Sequence, residues 1–189
     1  MQLTGWLGPE EFWDRYDQME QLVRESAGEL PCYGLLGWSG PMAIGEWDLG
    51  SRPPMVVGVV YGSAESGPYL RTSTLQTSTT AGDPRMAIAH RRLAEGGPPA
   101  SGQELEERLN ALLSALSNMV AIPVDGTPEN FETWRDADRW WASGRHGGNG
   151  LILEGRGVEP ASLSLHRVPD IGPYLDGRRA QIRAARGGT

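Results

Sequence analysis

Nucleophilic chemistry in this chain would have to draw on a single cysteine, Cys32, and three histidines, His90, His146 and His166. Cys32 stands between Pro31 and Tyr33 in a turn-rich stretch with no nucleophile signature around it. A lone cysteine in that setting reads as a small buried hydrophobe. No H-E-x-x-H or C-x-x-C spacing occurs, so neither a metal site nor a cofactor is expected. A serine elbow requires G-x-S-x-G, and Gly37-Trp38-Ser39-Gly40-Pro41 has proline where the second glycine belongs, which leaves a hairpin turn.

The run Gly144-Arg145-His146-Gly147-Gly148-Asn149-Gly150 has the glycines that let backbone N–H groups approach an anion, with Arg145 to add charge. It leads into a strand rather than a helix, however, and the chain has no lysine to serve as a phosphate anchor. A hairpin loop is the simpler reading. Asp136 and Asp138 straddle Ala137 in a short connection, where carboxylates bond to the local backbone. No catalytic residue is assigned.

Composition places the chain among ordinary globular proteins: 189 residues, 39% apolar and 22% charged. Its 24 acids outnumber 17 basic residues for a net charge of −7. All basic residues are Arg and none is Lys, a bias expected of a GC-rich bacterial genome. The imbalance is segregated, since residues 1–66 hold 10 acids and 3 Arg while residues 67–189 hold 14 of each. A negative chain opposes phosphate neutralisation, so nucleic acid is not favoured as a partner. The longest apolar runs, such as Met55 to Tyr61, fall far short of the ~20 residues that span a bilayer. With no basic leader and one cysteine, a cytoplasmic, membrane-free protein is expected.

The elements that must position these residues follow from periodicity. Pro9 to about Ala27 predicts a helix, with Phe12, Trp13, Tyr16, Met19, Leu22 and Val23 on an apolar stripe. Glu10, Glu11 and Asp14 meet its positive end; Asp17, Glu20 and Glu25 are assigned to its wet face. Residues 28–68 are rich in Gly and Pro, and short strands between turns are expected there. Gly34–Trp38 and Met42–Asp48 form a predicted hairpin, Met55–Tyr61 a buried strand, and Tyr69–Thr80 a half-solvated one.

Asp83-Pro84 opens a helix to Glu95. Ser101-Gly102-Gln103-Glu104 fits a capping box for a second, whose apolar positions run from Leu105 through Leu116 to Met119. Val120–Val124 enters Asp125-Gly126, a type I′ turn signal. Phe131–Trp134, Arg139–His146, Leu151–Gly155 and Leu163–Val168 continue as a meander. An Arg-rich helix, residues 173–186, ends the chain, with 187–189 frayed.

The expected architecture is α+β: a single domain, residues 1–189, with an antiparallel or split sheet of about seven strands packed with about four helices. Trp140 and Trp141 are adjacent on a strand and so leave opposite faces of the sheet; each face then needs cover, from the chain itself or from a partner. Two function classes remain. One is a non-catalytic interaction protein, immunity-like or chaperone-like, whose acidic N-terminal third meets a basic partner. The other is a small enzyme acting on an aromatic or hydrophobic metabolite in a Trp/Tyr/Met-lined pocket. The candidate interaction residues are Glu10, Asp14, Asp17 and Glu20, with Trp140, Trp141 and Arg145. A further expectation, self-association, has the acidic helix dock on the Arg-rich one of the same chain or a second copy.

Overall fold

The computed structural model describes residues 9–63, 67–76, 84–95, 102–114 and 118–186, and within the helices leaves out the side chains of residues 9, 90, 92–95, 105, 108, 109, 112 and 113. The expected caps at Asp83 and Ser101, together with Leu116, His90 and the C-terminal 187–189, lie outside what is described.

Helix α1 spans Pro9–Ser26, followed by strands β1 (Tyr33–Gly34), β2 (Met42–Trp47), β3 (Val56–Gly62) and β4 (Tyr69–Leu75). Helices α2 (Pro84–Glu95) and α3 (Gly102–Ser114) come next, then β5 (Asn118–Val124), β6 (Thr127–Asp136), β7 (Arg139–His146) and β8 (Asn149–Arg156). Strand β9 (His166–Arg167) and helix α4 (Gly172–Ala185) complete the order. The fold is α+β, with a seven-stranded antiparallel sheet ordered β2-β3-β4-β8-β7-β6-β5 and a separate pair β1-β9.

Local turn chemistry explains the C-terminal meander. Asp125 and Gly126 both take positive φ, at 49° and 78°, as a type I′ hairpin turn requires. Gly147 and Gly148 repeat the device between β7 and β8 at 55° and 81°. The meander β2-β3-β4 lies beside the meander β5 to β8 through the β4–β8 pair, in which Tyr69 faces Arg156 and Leu75 faces Gly150. The α2-α3 hairpin lies in the connection between them.

Two cores result. On the first face Val57, Val59, Leu70, Phe131, Trp140, Ala142, Leu151 and Leu153 pack with Val23 of α1, Tyr33 of β1 and Tyr174 and Leu175 of α4. On the second, Leu75, Trp134, Trp141 and Ile152 pack with Ile88 of α2. The adjacent tryptophans therefore do leave opposite faces, and the chain covers both, with Trp140 1% and Trp141 2% exposed. Trp140 fits because its cross-strand partner is Gly155, where a Cβ would overlap the indole; its Nε1–H donates to the Val158 carbonyl at 2.6 Å.

Several expectations are corrected. Residues 34–38 and 42–48 do not form a hairpin. Tyr33–Gly34 pairs with Arg167 and His166, the Leu35 N–H donates to the Tyr61 hydroxyl at 2.7 Å, and β2 pairs with β3. The strand from Tyr69 ends at Leu75 and is buried on both faces, not half-solvated. Its Thr72 hydroxyl donates to the Tyr33 carbonyl of β1, which crosses above it. Met119 belongs to β5, 64% exposed, and not to the second helix; its spacing from the leucines is coincidental. The meander stops at β8, because the chain turns through Pro160–Ser162 and β9 joins β1. Leu22 of the expected apolar stripe is exposed.

Among the described residues no helix is long and apolar enough to cross a membrane.

Candidate functional site

The acidic helix presents a narrow stripe. Glu10, Asp14, Asp17, Gln21 and Glu25 recur at spacings of four or three and are all exposed, which sets them on one face of α1 over about 22 Å. The opposite face buries Phe12, Tyr16, Val23 and Ser26. Between the two lies Glu20. Its expected place on the wet face is wrong, because it is only 8% exposed.

Arg179 of α4 is the cause. Its Nε and Nη2 donate to the two carboxylate oxygens of Glu20 at 3.2 and 3.0 Å, and Nη2 also reaches Asp17. Hydrogen bonds from Glu20 first and Asp17 second hold the guanidinium proton more tightly than usual. The same guanidinium sits 5.2 Å from the Tyr16 ring centroid and 5.6 Å from that of Trp13. Arg183 covers Trp13 at 5.4 Å and Arg186 covers Phe12 at 3.7 Å. Phe12, Trp13 and Tyr16 are themselves in ring contact, so two arginines of α4, with Arg186 just beyond its end, roof an aromatic cluster on α1. The two helices dock within one chain through cation–π contacts and a bidentate ion pair. An open groove of about 630 Å³ runs beside them, lined by Asp17, Glu20, Gln21, Arg24, Glu25 and Arg179.

The other expected residues are not brought to this surface. Trp140 and Trp141 are core, and Arg145 is exposed near the end of β7. Cys32 is buried, 7% exposed, and burial pushes its thiol up to about 12, which keeps the thiolate scarce near neutral pH. His146 Nδ1 lies 2.8 Å from Glu129 Oε1 and its ring packs edge-on against Tyr33. His166 Nε2 pairs with Ser164 at 3.1 Å. Asp136 and Asp138 flank Ala137, whose φ of 52° marks the expected turn.

Sequence reasoning missed a second polar constellation, on the α2 face of the sheet. Tyr69, Arg71 and Ser73 alternate along one face of β4. Register places Arg71 opposite Glu154, and Glu154 opposite Trp141. Glu154 is 6% exposed, accepts from Arg139 Nη2 at 2.6 Å, and lies 3.7 Å from Arg71 Nη1. Arg91 of α2 bonds Glu46 of β2 and, at 3.2 Å, Ser73, whose hydroxyl in turn donates to Glu46 at 3.1 Å. The signal was the charge set inside two otherwise uncharged strands, Arg71 in Tyr69–Leu75 and Glu154 and Arg156 in Asn149–Arg156. Aligning them needed the β4–β8 pairing.

Protein-family models, curated proteins and solved structures were compared with the chain, and none matches.

Proposed function

We propose that the protein is a non-catalytic interaction protein that presents the exposed face of α1 to a basic surface of a partner protein in the cytoplasm. One observation carries this reading: Glu10, Asp14, Asp17 and Glu25 share one exposed helix face, and the α4 arginine beside them binds only Asp17 of the four. A row of carboxylates on a rigid helix attracts a complementary cationic surface and raises the encounter rate, an effect that salt screens over about 8 Å at physiological ionic strength. Glu20 takes no direct part. It anchors the helix that displays the others.

The alternative reading, a small enzyme with a Trp/Tyr/Met-lined pocket, cannot draw on Trp140 and Trp141, which are packed into the two cores.

Photo-crosslinking tests the proposal. A crosslinker placed at Asp14 of the full chain in native lysate is expected to capture a discrete basic protein, identified by mass spectrometry. Capture should fall as salt rises and vanish in the double variant Glu10→Arg, Glu25→Arg. No adduct at low salt, or the same adducts from a crosslinker at Gln181 of α4, would overturn it.

A further inference from the structure

On the α2 face of the sheet, Arg71, Arg91 and Arg139 gather around Glu46 and Glu154. Arg139 is matched to Glu154 and Arg91 to Glu46. Arg71 has no carboxylate of its own: its nearest, Glu154, lies at 3.7 Å and already accepts from Arg139. The neighbouring row closes on itself, with Arg156 beside Asp138 at 3.9 Å and donating to the Gly67 carbonyl at 3.4 Å. Arg71 is therefore the least tightly paired guanidinium of the three.

The donor count points the same way. Arg71 Nε and Arg91 Nη1 are both withdrawn from solvent, and neither has a hydrogen-bond acceptor among the described residues. Native proteins seldom leave a buried guanidinium N–H without an acceptor. Ser73, the partner of Arg91, is two residues from Arg71 on the same strand face, which puts the two side chains about 7 Å apart at their bases. Tyr69 stands on the other side of Arg71 on that face, its ring buried and its hydroxyl in the field of Arg71, Glu154, Arg139 and Arg91.

We infer that Arg71 and Arg91, with Ser73 and Tyr69 beside them, form a binding site for an oxyanion, the chemistry shared by phosphate groups and carboxylates. Such a ligand supplies acceptors to the two orphaned N–H groups and suits the forked donor geometry of guanidinium. The site stands on the sheet face remote in sequence from α1 and does not depend on the acidic stripe or its partner.

Arginine Nε–Hε NMR signals of the 15N-labelled full chain read this out directly. Sodium phosphate is expected to shift the Arg71 signal along a saturable curve with a dissociation constant of about 10 mM or tighter, ~3 kcal/mol of binding, while sodium chloride at matched ionic strength leaves it in place. A parallel titration with sodium acetate separates the sources: tighter phosphate binding assigns a phosphoryl ligand, and tighter acetate binding a carboxylate. Arg71→Gln followed at Arg91, and Arg91→Gln followed at Arg71, should each weaken binding at least about tenfold. The two variants come from a strand and a helix, so one that fails to fold leaves the other to decide. Absence of a saturable shift with either anion, an equal shift with chloride, or binding that survives both substitutions would overturn the site.

Discussion

Glu20 and Arg179, 159 residues apart in the chain, are joined by two hydrogen bonds of 3.2 and 3.0 Å that fasten the first helix to the last. Glu20 is nearly buried and Arg179 a quarter exposed, so the pair lies in a medium where removing one partner strands the other. Glu20→Gln is expected to lower stability by about 1–3 kcal/mol. Arg179→Ala should cost more, since it also uncovers Trp13 and Tyr16. Urea unfolding checks both, and a double-mutant cycle should return a coupling of at least about 0.5 kcal/mol. Strict additivity would mean the contact does not hold α1 in place.

Glu10 and Asp14 supply the contrast. They share the helix with Glu20, yet they are exposed and bond to no described residue. Glu10→Gln and Asp14→Asn are expected to move the urea midpoint by less than about 0.5 kcal/mol equivalent, with a small loss from the helix dipole. A large destabilisation from either would make these acids structural and remove them from the interaction face.

Packing of the first core is tested at two glycines. A Cβ at Gly155 would overlap the Trp140 indole, and a Cβ at Gly177 would overlap the Met42 carbonyl, where α4 crosses the edge strand β2. Gly155→Ala should cost about 1–3 kcal/mol through displacement of the tryptophan. In Gly177→Ala the obstacle is backbone, which cannot rotate away, and α4 must lift. A gain in helix propensity from alanine is worth only about 1 kcal/mol, so net destabilisation is expected. A neutral or stabilising result by thermal or urea unfolding would mean α4 does not press on β2.

How far these relationships could be read from sequence depends on their range. The turns at Asp125-Gly126 and Gly147-Gly148 and the buried stripe of α1, Leu22 excepted, are set within a few residues, and these were legible. So was the opposed placement of Trp140 and Trp141, which needs only the period of a strand. What failed was decided at a distance. Glu20 looked solvated because the arginine that buries it arrives in the last helix. Tyr33–Gly34 looked like half of a hairpin because its partner, His166–Arg167, lies beyond nine other helices and strands. The Arg71–Glu154 row required the β4–β8 pairing, which no local turn encodes. Met119 failed for the opposite reason: a helical spacing persisted by chance into a strand.

Alkaline titration gives the last test. Burial raises the Cys32 thiol from its ordinary 9.0 to about 12, and burial first, then the nearby Glu20 charge, raises Tyr16 from 10.0 to about 12. In both cases the unfolded chain releases its proton first. Well below pH 9 neither group makes stability depend on pH; as pH rises through 9 the folded state comes to hold more protons than the unfolded one, so stability falls. Between pH 9 and 10 only Cys32 of the two has begun to act, with a slope approaching about 1.4 kcal/mol per pH unit; Tyr16 adds to it from pH 10 upward. Cys32→Val should therefore flatten the fall between pH 9 and 10, whatever it does to stability at pH 7. The native thiol should also resist Ellman's reagent at pH 8 and react once urea unfolds the chain. Rapid native labelling, or an unchanged slope in Cys32→Val, would show that Cys32 is reached by solvent and would return it to the set of candidate nucleophiles.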